Sequence, residues 1–118
     1  MSLLKDDRNQ ELFSALADPT RRSIIELLAS TGQMSATNIF DKFNMTKPAV
    51  SQHLKVLREA ELVQMEKSAQ KRLYSLNPKT MHNLEAWIKR TTQHWDDRFG
   101  RLDSVLEAEK QKTQKKRR

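Results

Sequence analysis

The chain has 118 residues, 36% hydrophobic and 31% charged, with two Gly and three Pro; this reads as one polar, helix-rich domain and excludes a turn-dense barrel or sandwich. It contains no cysteine, which removes disulfides, thiolate metal sites, cysteine nucleophiles and thiol redox chemistry. The net charge is +7, a sign that suits an anionic partner such as nucleic acid or a membrane surface.

The first residues, MSLLKDDRNQ, lack the apolar stretch of a secretion signal, and no apolar run approaches the ~18 residues of a membrane span. A cytoplasmic protein without a membrane partner is therefore expected. The charge is unevenly placed. Lys110 to Arg118 hold six basic residues and no acid, whereas Met45 to Leu73 hold six basic residues against three acids. Location matters more than the total, because a reading surface needs its cations in one place.

In chain order, Leu12, Phe13, Leu16 and Ala17 put one apolar stripe on a short helix over residues 9–17. Asp18-Pro19 ends it and opens a second helix over about 19–30, with Asp18 as the N-cap and Pro19 at the first helical position. Ile24, Ile25, Leu27 and Leu28 are its core face, and Gly32 is the stop signal. Ser35 caps a short third helix over 36–43 with Ile39, Phe40 and Phe43. After the turn Asn44-Met45, Thr46 caps a fourth helix that carries Pro48 in its first turn and runs to about Ala60. Two helices joined by so short a turn make a helix-turn-helix.

Residues 62–66 and 71–76 suit a β-hairpin linked by Lys67-Ser68-Ala69-Gln70. Asn77-Pro78 repeats the cap-then-proline signal and opens the longest helical stretch, through about Glu109. Residues 110–118 carry no apolar side chain and are expected to be a disordered basic tail.

On a helical wheel Val50, Leu54 and Leu57 form the buried stripe of the fourth helix, while Gln52, Lys55 and Glu59 lie near the opposite pole. Ser51 flanks the stripe, and Thr46 and Lys47 stand at the N-terminal end. Such a face can be an ordinary solvated surface. It also offers what base edges require: Gln pairs bidentately with adenine, and Lys meets guanine or phosphate. The basic hairpin that follows, with Lys67, Lys71 and Arg72, tips the reading toward DNA, since a wing can rest on the phosphate backbone.

These residues also carry a family likeness. LADPTRRSIIELLA (Leu16–Ala29), PAVSQHLKVLREAELV (Pro48–Val63) and KRLYSLNP (Lys71–Pro78) closely resemble the corresponding motifs of bacterial repressors of the arsenical-resistance-repressor (ArsR) type, over about residues 8–78. The resemblance implies a homodimeric, operator-binding winged helix whose fourth helix enters the major groove, with Thr46, Lys47, Ser51, Gln52 and Lys55 meeting DNA. Two departures stand out: Glu61 occupies a place where the family usually has Gly, and the wing tip has no Gly. A left-handed Glu61 costs about 1–2 kcal/mol.

On the last helix Met81, Ile88, Trp95 and Leu102 recur every seven residues, joined by Leu84, Trp87, Phe99, Val105 and Leu106. About thirty helical residues span roughly 45 Å, more than one small domain covers. A homodimer is expected, with Met81, Leu84, Ile88, Trp95, Phe99 and Leu102 pairing across the axis together with Leu12, Phe13 and Leu16. The other course is a helix folded back on its own domain, with Gly100 marking a break.

Many members of the resembled family sense metals, through thiolates on the third helix or His and carboxylates on the last. Here the thiolate site is excluded, and His82 and His94 are about 120° apart around the helix axis. His94 with Asp97 could form only half of an intersubunit site. Trp95 to Leu102 resembles the last helix of the family's metal-independent, autorepressor-like branch, which implies repression of its own operon with no metal and no cofactor. His53, beside buried Leu54, reads as a packing or hydrogen-bonding residue.

The expected architecture is thus mainly α with a small β-hairpin: a winged helix-turn-helix over 8–77, a dimerisation helix over 78–109 and the tail 110–118. The expected function is a homodimeric regulator binding double-stranded operator DNA at an inverted repeat. A zinc-responsive repressor of the same fold and a winged-helix protein-interaction module remain the alternatives. An enzyme is disfavoured, because no Gly-rich phosphate loop and no Ser-His-carboxylate grouping appears.

Overall fold

The computed structural model describes the backbone of residues 7–117 and the side chains of residues 9–100 and 107–110. The elements run α1 (Asp7–Leu16), α2 (Pro19–Thr31), β1 (Met34–Ser35), α3 (Ala36–Asp41), α4 (Lys47–Glu59), β2 (Val63–Ser68), β3 (Lys71–Leu76) and α5 (Pro78–Arg117). They fall into two compact units, Met1–His82 and Asn83–Arg118. The first is a winged helix-turn-helix and the second is the greater part of α5.

The helix starts follow from short polar side chains that take up amide groups the first turn leaves unpaired. Asp18 accepts from the Arg21 amide, Ser35 from the Asn38 amide and Thr46 from the Ala49 amide, at 2.9, 3.2 and 3.3 Å. Pro19 and Pro48 sit in first turns, where a missing N–H costs nothing. Gly32 closes α2 with φ 86°, its amide donating to the Leu28 carbonyl at 2.8 Å.

The end of α4 is a complete Schellman turn. Glu61 donates its amide to the Arg58 carbonyl and Leu62 to the Leu57 carbonyl, both at 3.0 Å, and Glu61 has φ 59°. The Leu57 and Leu62 side chains, which flank the turn, are both 0% exposed. The apolar gain at Leu62 holds Glu61 in a conformation that glycine adopts more readily.

The sheet order is β1-β3-β2, antiparallel throughout. The hairpin expected over 62–66 and 71–76 is longer at its tip: β2 extends to Ser68 and pairs with Lys71, leaving Ala69-Gln70 as a two-residue turn. Ala69 carries φ 56°, the positive first position that turns of this length use. Strand β1 was not foreseen, because two residues carry no alternation to read. It pairs Met34 with Tyr74 and Ser35 with Leu73, ahead of α3.

The core of the first unit gathers Ile24, Leu28, Ile39, Val50, Leu54, Leu57 and Leu62, all fully buried. Among the described residues no polar or charged side chain is buried. Helix α5 passes through Gly100 without interruption and continues to Arg117. Residues 110–117, expected to lack regular structure, are helical backbone. Glu, Lys, Gln and Arg favour helix, and neither Gly nor Pro follows Gly100.

Candidate nucleic-acid interface

Helix α4 turns Val50, Leu54 and Leu57 into the core, half-buries Ala49, His53 and Val56, and leaves its other side chains outside. Thr46, Lys47, Ser51, Gln52 and Lys55 are all exposed. The Thr46 hydroxyl is committed to the Ala49 amide, so it fixes the helix start beside the exposed Lys47. Lys55 has its ammonium 4.0 Å from Glu59, with both side chains more than half exposed. An ion pair so open is weak and readily exchanged for phosphate.

The wing places its cations by register. Lys67 stands opposite Arg72, and Ser68 opposite Lys71. Side chains alternate across a strand, so Lys67 and Arg72 share one face of the hairpin and Lys71 takes the other. All three are exposed, and among the described residues none lies in an ion pair. Helix α4 packs on β2, which ties the helix and the wing into the same unit.

Two features were not foreseen as parts of this surface. Met45, read only as a turn residue, is 39% exposed immediately before the start of α4. An apolar side chain at that end suits the methyl group of thymine. The signal available was a large hydrophobe inside a turn.

The second feature is Arg21. Its Nε donates to the Ala15 carbonyl at 2.7 Å and a terminal nitrogen to the Ser14 carbonyl at 3.2 Å. Its other terminal nitrogen lies 3.3 Å from His53 Nδ1 on α4. Arg22 adds a bond to the Leu16 carbonyl at 2.6 Å. Carbonyls at a helix C-terminus lack intrahelical partners and attract cations, so two arginines just past the α1–α2 junction were the legible clue. Asp18 Oδ2 lies 3.8 Å from His53 Nδ1. Its carboxyl is held below the usual range, first by the Arg21 amide bond and then by the nearby His53 and Arg21 charges, against partial desolvation.

The residues expected at a dimer interface are differently placed. Leu12 is 6% exposed, already spent on the core of the first unit; Phe13 and Leu16 are half-buried, as are Met81, Leu84 and Phe99. Ile88 and Trp95 are 49% and 61% exposed, and Trp95 stacks on Phe99 with ring centroids 4.0 Å apart. The side chain of Leu102 lies outside the described residues. Of the potential metal ligands, Asp97 accepts from Gln93 Nε2 at 2.9 Å, and among the described residues no three His, Asp or Glu side chains converge.

Comparison with known proteins gives the same architecture and a lineage. Residues 18–65 match the model of the bacterial regulatory protein, arsR family. The chain is 39% identical over 77 residues to the transcriptional repressor SdpR of Bacillus subtilis, covering 65% of this chain and 84% of that protein. A crystal structure of an ArsR family transcriptional regulator superposes with a TM-score of 0.67 at 26% identity, over 76% of this chain and 92% of that one. An ArsR-like transcriptional regulator from Rhodococcus sp. RHA1 shares the fold, with a TM-score of 0.73 at 22% identity over 92% and 98% of the two chains. The capped helix α4, the basic hairpin and these likenesses together place the chain in the arsR family of bacterial regulatory proteins, as a winged helix-turn-helix transcriptional regulator and not an enzyme.

Proposed function

We propose that this ArsR-family DNA-binding repressor works as a homodimer on an inverted repeat upstream of its own operon, without a metal effector. The observation that carries the reading is the outward face of α4. Thr46, Lys47, Ser51, Gln52 and Lys55 are all exposed at or near the amino-terminal half of one helix. The next strands add Lys67, Lys71 and Arg72. Gln52 and Lys55 read base edges, the Lys47 ammonium at the start of the helix holds phosphate, and the wing cations follow the backbone. SdpR, the relative from Bacillus subtilis, is a transcriptional repressor by name, which favours repression here.

Homodimerisation is favoured by Trp95 and Ile88, large apolar side chains left exposed on α5. Two copies related by a two-fold axis present two α4 helices to half-sites about one DNA turn apart. Independence from metal is favoured by the missing cysteines and by the use of the Asp97 carboxylate within its own helix. The protein then acts in the cytoplasm; no helix among the described residues is long and apolar enough to cross a membrane.

The test is a footprint on the DNA upstream of the gene, repeated with zinc and with chelator. The expected result is a protected inverted repeat, unchanged by either addition. Protection lost on adding zinc would establish the metal-responsive alternative, through His94 and Asp97 of two subunits. Absence of any protected repeat, with equal affinity for random duplex, would overturn the sequence-specific reading.

A further inference from the structure

We infer that Arg21 and His53 are positioning residues for sequence reading, and that their contact makes recognition of the correct DNA sensitive to protons. The inference rests on α4 being the reader. Arg21 is anchored on one side by the Ser14 and Ala15 carbonyls of α1. On the other side it donates to His53 Nδ1 at 3.3 Å. His53 follows Gln52 directly and precedes buried Leu54. The contact therefore joins the α1–α2 junction to the middle of the helix whose outer face carries Gln52 and Lys55. A small roll of α4 about its axis moves Gln52 relative to a base edge, and base-edge hydrogen bonds tolerate little misplacement. Phosphate contacts by Lys ammonium groups are far less directional.

The contact has a defined protonation requirement. Arg21 has no acceptor to offer, so His53 Nδ1 must present its lone pair and the ring proton must sit on Nε2. Protonation converts Nδ1 into a donor. The Arg21 nitrogen then loses its acceptor and faces a like charge, while Asp18 Oδ2, 3.8 Å away, becomes the better partner.

Asp18 and Arg21, both at the start of α2, are the charges that face the imidazole. Helix α1 presents main-chain carbonyls there. Its Glu11 lies instead with Glu59 along the adjoining groove between α1 and α4. Strand β2, also packed on α4, places no acid within 4.0 Å of the His53 nitrogens. Adding a proton thus exchanges a bond to the Arg21 guanidinium, which is itself fixed on the α1 carbonyls, for one to the Asp18 carboxylate at the α2 cap. Sequence reading weakens as pH falls, opposite in sign to the general gain of a cationic protein on DNA at low pH.

The experiment uses the full chain and two duplexes, a consensus recovered by the wild type from a randomised pool and a shuffled sequence of the same composition. Affinities are measured between pH ~5.5 and ~8, where imidazoles change charge, and the folded fraction of each variant is checked by circular dichroism. In the wild type the ratio of consensus to shuffled affinity is expected to fall toward the acid end. His53→Asn puts an amide oxygen near the place of Nδ1 and cannot take up a proton, so it should retain the ratio at neutral pH and flatten its pH dependence. Arg21→Lys should lower consensus affinity about three- to tenfold more than shuffled affinity, the scale of one lost hydrogen bond.

A His53→Asn protein with the wild-type pH slope would overturn the inference, as would a folded Arg21→Lys protein that loses both affinities equally. If Arg21→Lys does not fold, the His53→Asn profile decides. A wild type that recovers no consensus overturns the reader assignment of α4, and this inference with it.

Discussion

Lys67 and Arg72 stand directly opposite one another across the β2–β3 hairpin, on the same face. Like charges in that position destabilise an antiparallel pair by up to about 1 kcal/mol. The arrangement makes physical sense when an anion comes between them. Lys67→Glu should therefore stabilise the free protein by several tenths of a kcal/mol through a new cross-strand pair, while sharply weakening DNA binding. Lys67→Ala should weaken binding to all duplexes alike and reduce the slope of log affinity against log salt by about one. Urea denaturation and anisotropy titrations over a range of salt measure both effects. A variant with an unchanged salt slope would remove Lys67 from the phosphate contacts.

The two left-handed residues predict a gain in the opposite direction. Glu61, with φ 59°, and Ala69, with φ 56°, occupy conformations that cost an L-residue about 1–2 kcal/mol, part of which glycine returns to the unfolded chain as entropy. Glu61→Gly and Ala69→Gly should each raise stability by about 0.5–1 kcal/mol, read as a higher urea midpoint with an unchanged m-value. Gly32→Ala, at φ 86°, should lower it. The strain at Glu61 was legible as a departure from the resembled motif, because the Schellman turn requires one left-handed residue wherever α4 ends.

The same contrast runs through the fold. The caps at Asp18, Ser35 and Thr46 could be read because each is local, a short side chain bonded to an amide three residues on. The exposed face of α4 was legible because Val50, Leu54 and Leu57 mark its opposite side. The contact between Arg21 and His53 spans 32 positions and exists only once α1, α2 and α4 have packed, so no periodicity announces it. Leu12 illustrates the same limit in reverse. The apolar stripe of α1 is visible in the sequence, but whether it faces the core of its own unit or a partner is decided by packing.

Acid should reveal the Asp18 cap. Its folded carboxyl titrates below its ordinary value of 3.8, chiefly through the Arg21 amide bond, so the charged form is the one that folding favours. That contribution is fully present above the unfolded value and is lost as pH falls through the folded one. Asp18→Asn can still cap α2 but carries no charge. Its stability deficit relative to the wild type should shrink progressively below pH 3.8. Urea melts at a series of pH values measure the difference, and a deficit that fails to shrink below that pH would contradict the cap geometry.

Trp95 predicts the assembly state. With 61% of its surface exposed and its ring stacked on Phe99 at 4.0 Å, it presents the kind of rigid aromatic anchor that dominates interfaces. Trp95→Asp should cost about 2 kcal/mol or more of association and yield monomers at concentrations where the wild type sediments as a dimer. The winged helix-turn-helix of residues 7–82 has its own core, so its circular dichroism and urea midpoint should change little. Affinity for a single half-site should then be retained while affinity for the full inverted repeat falls toward it, because the second α4 is no longer delivered at the right spacing. If Trp95→Asp remained dimeric with full affinity for the inverted repeat, the apolar face of α5 would need another occupant and dimerisation another surface.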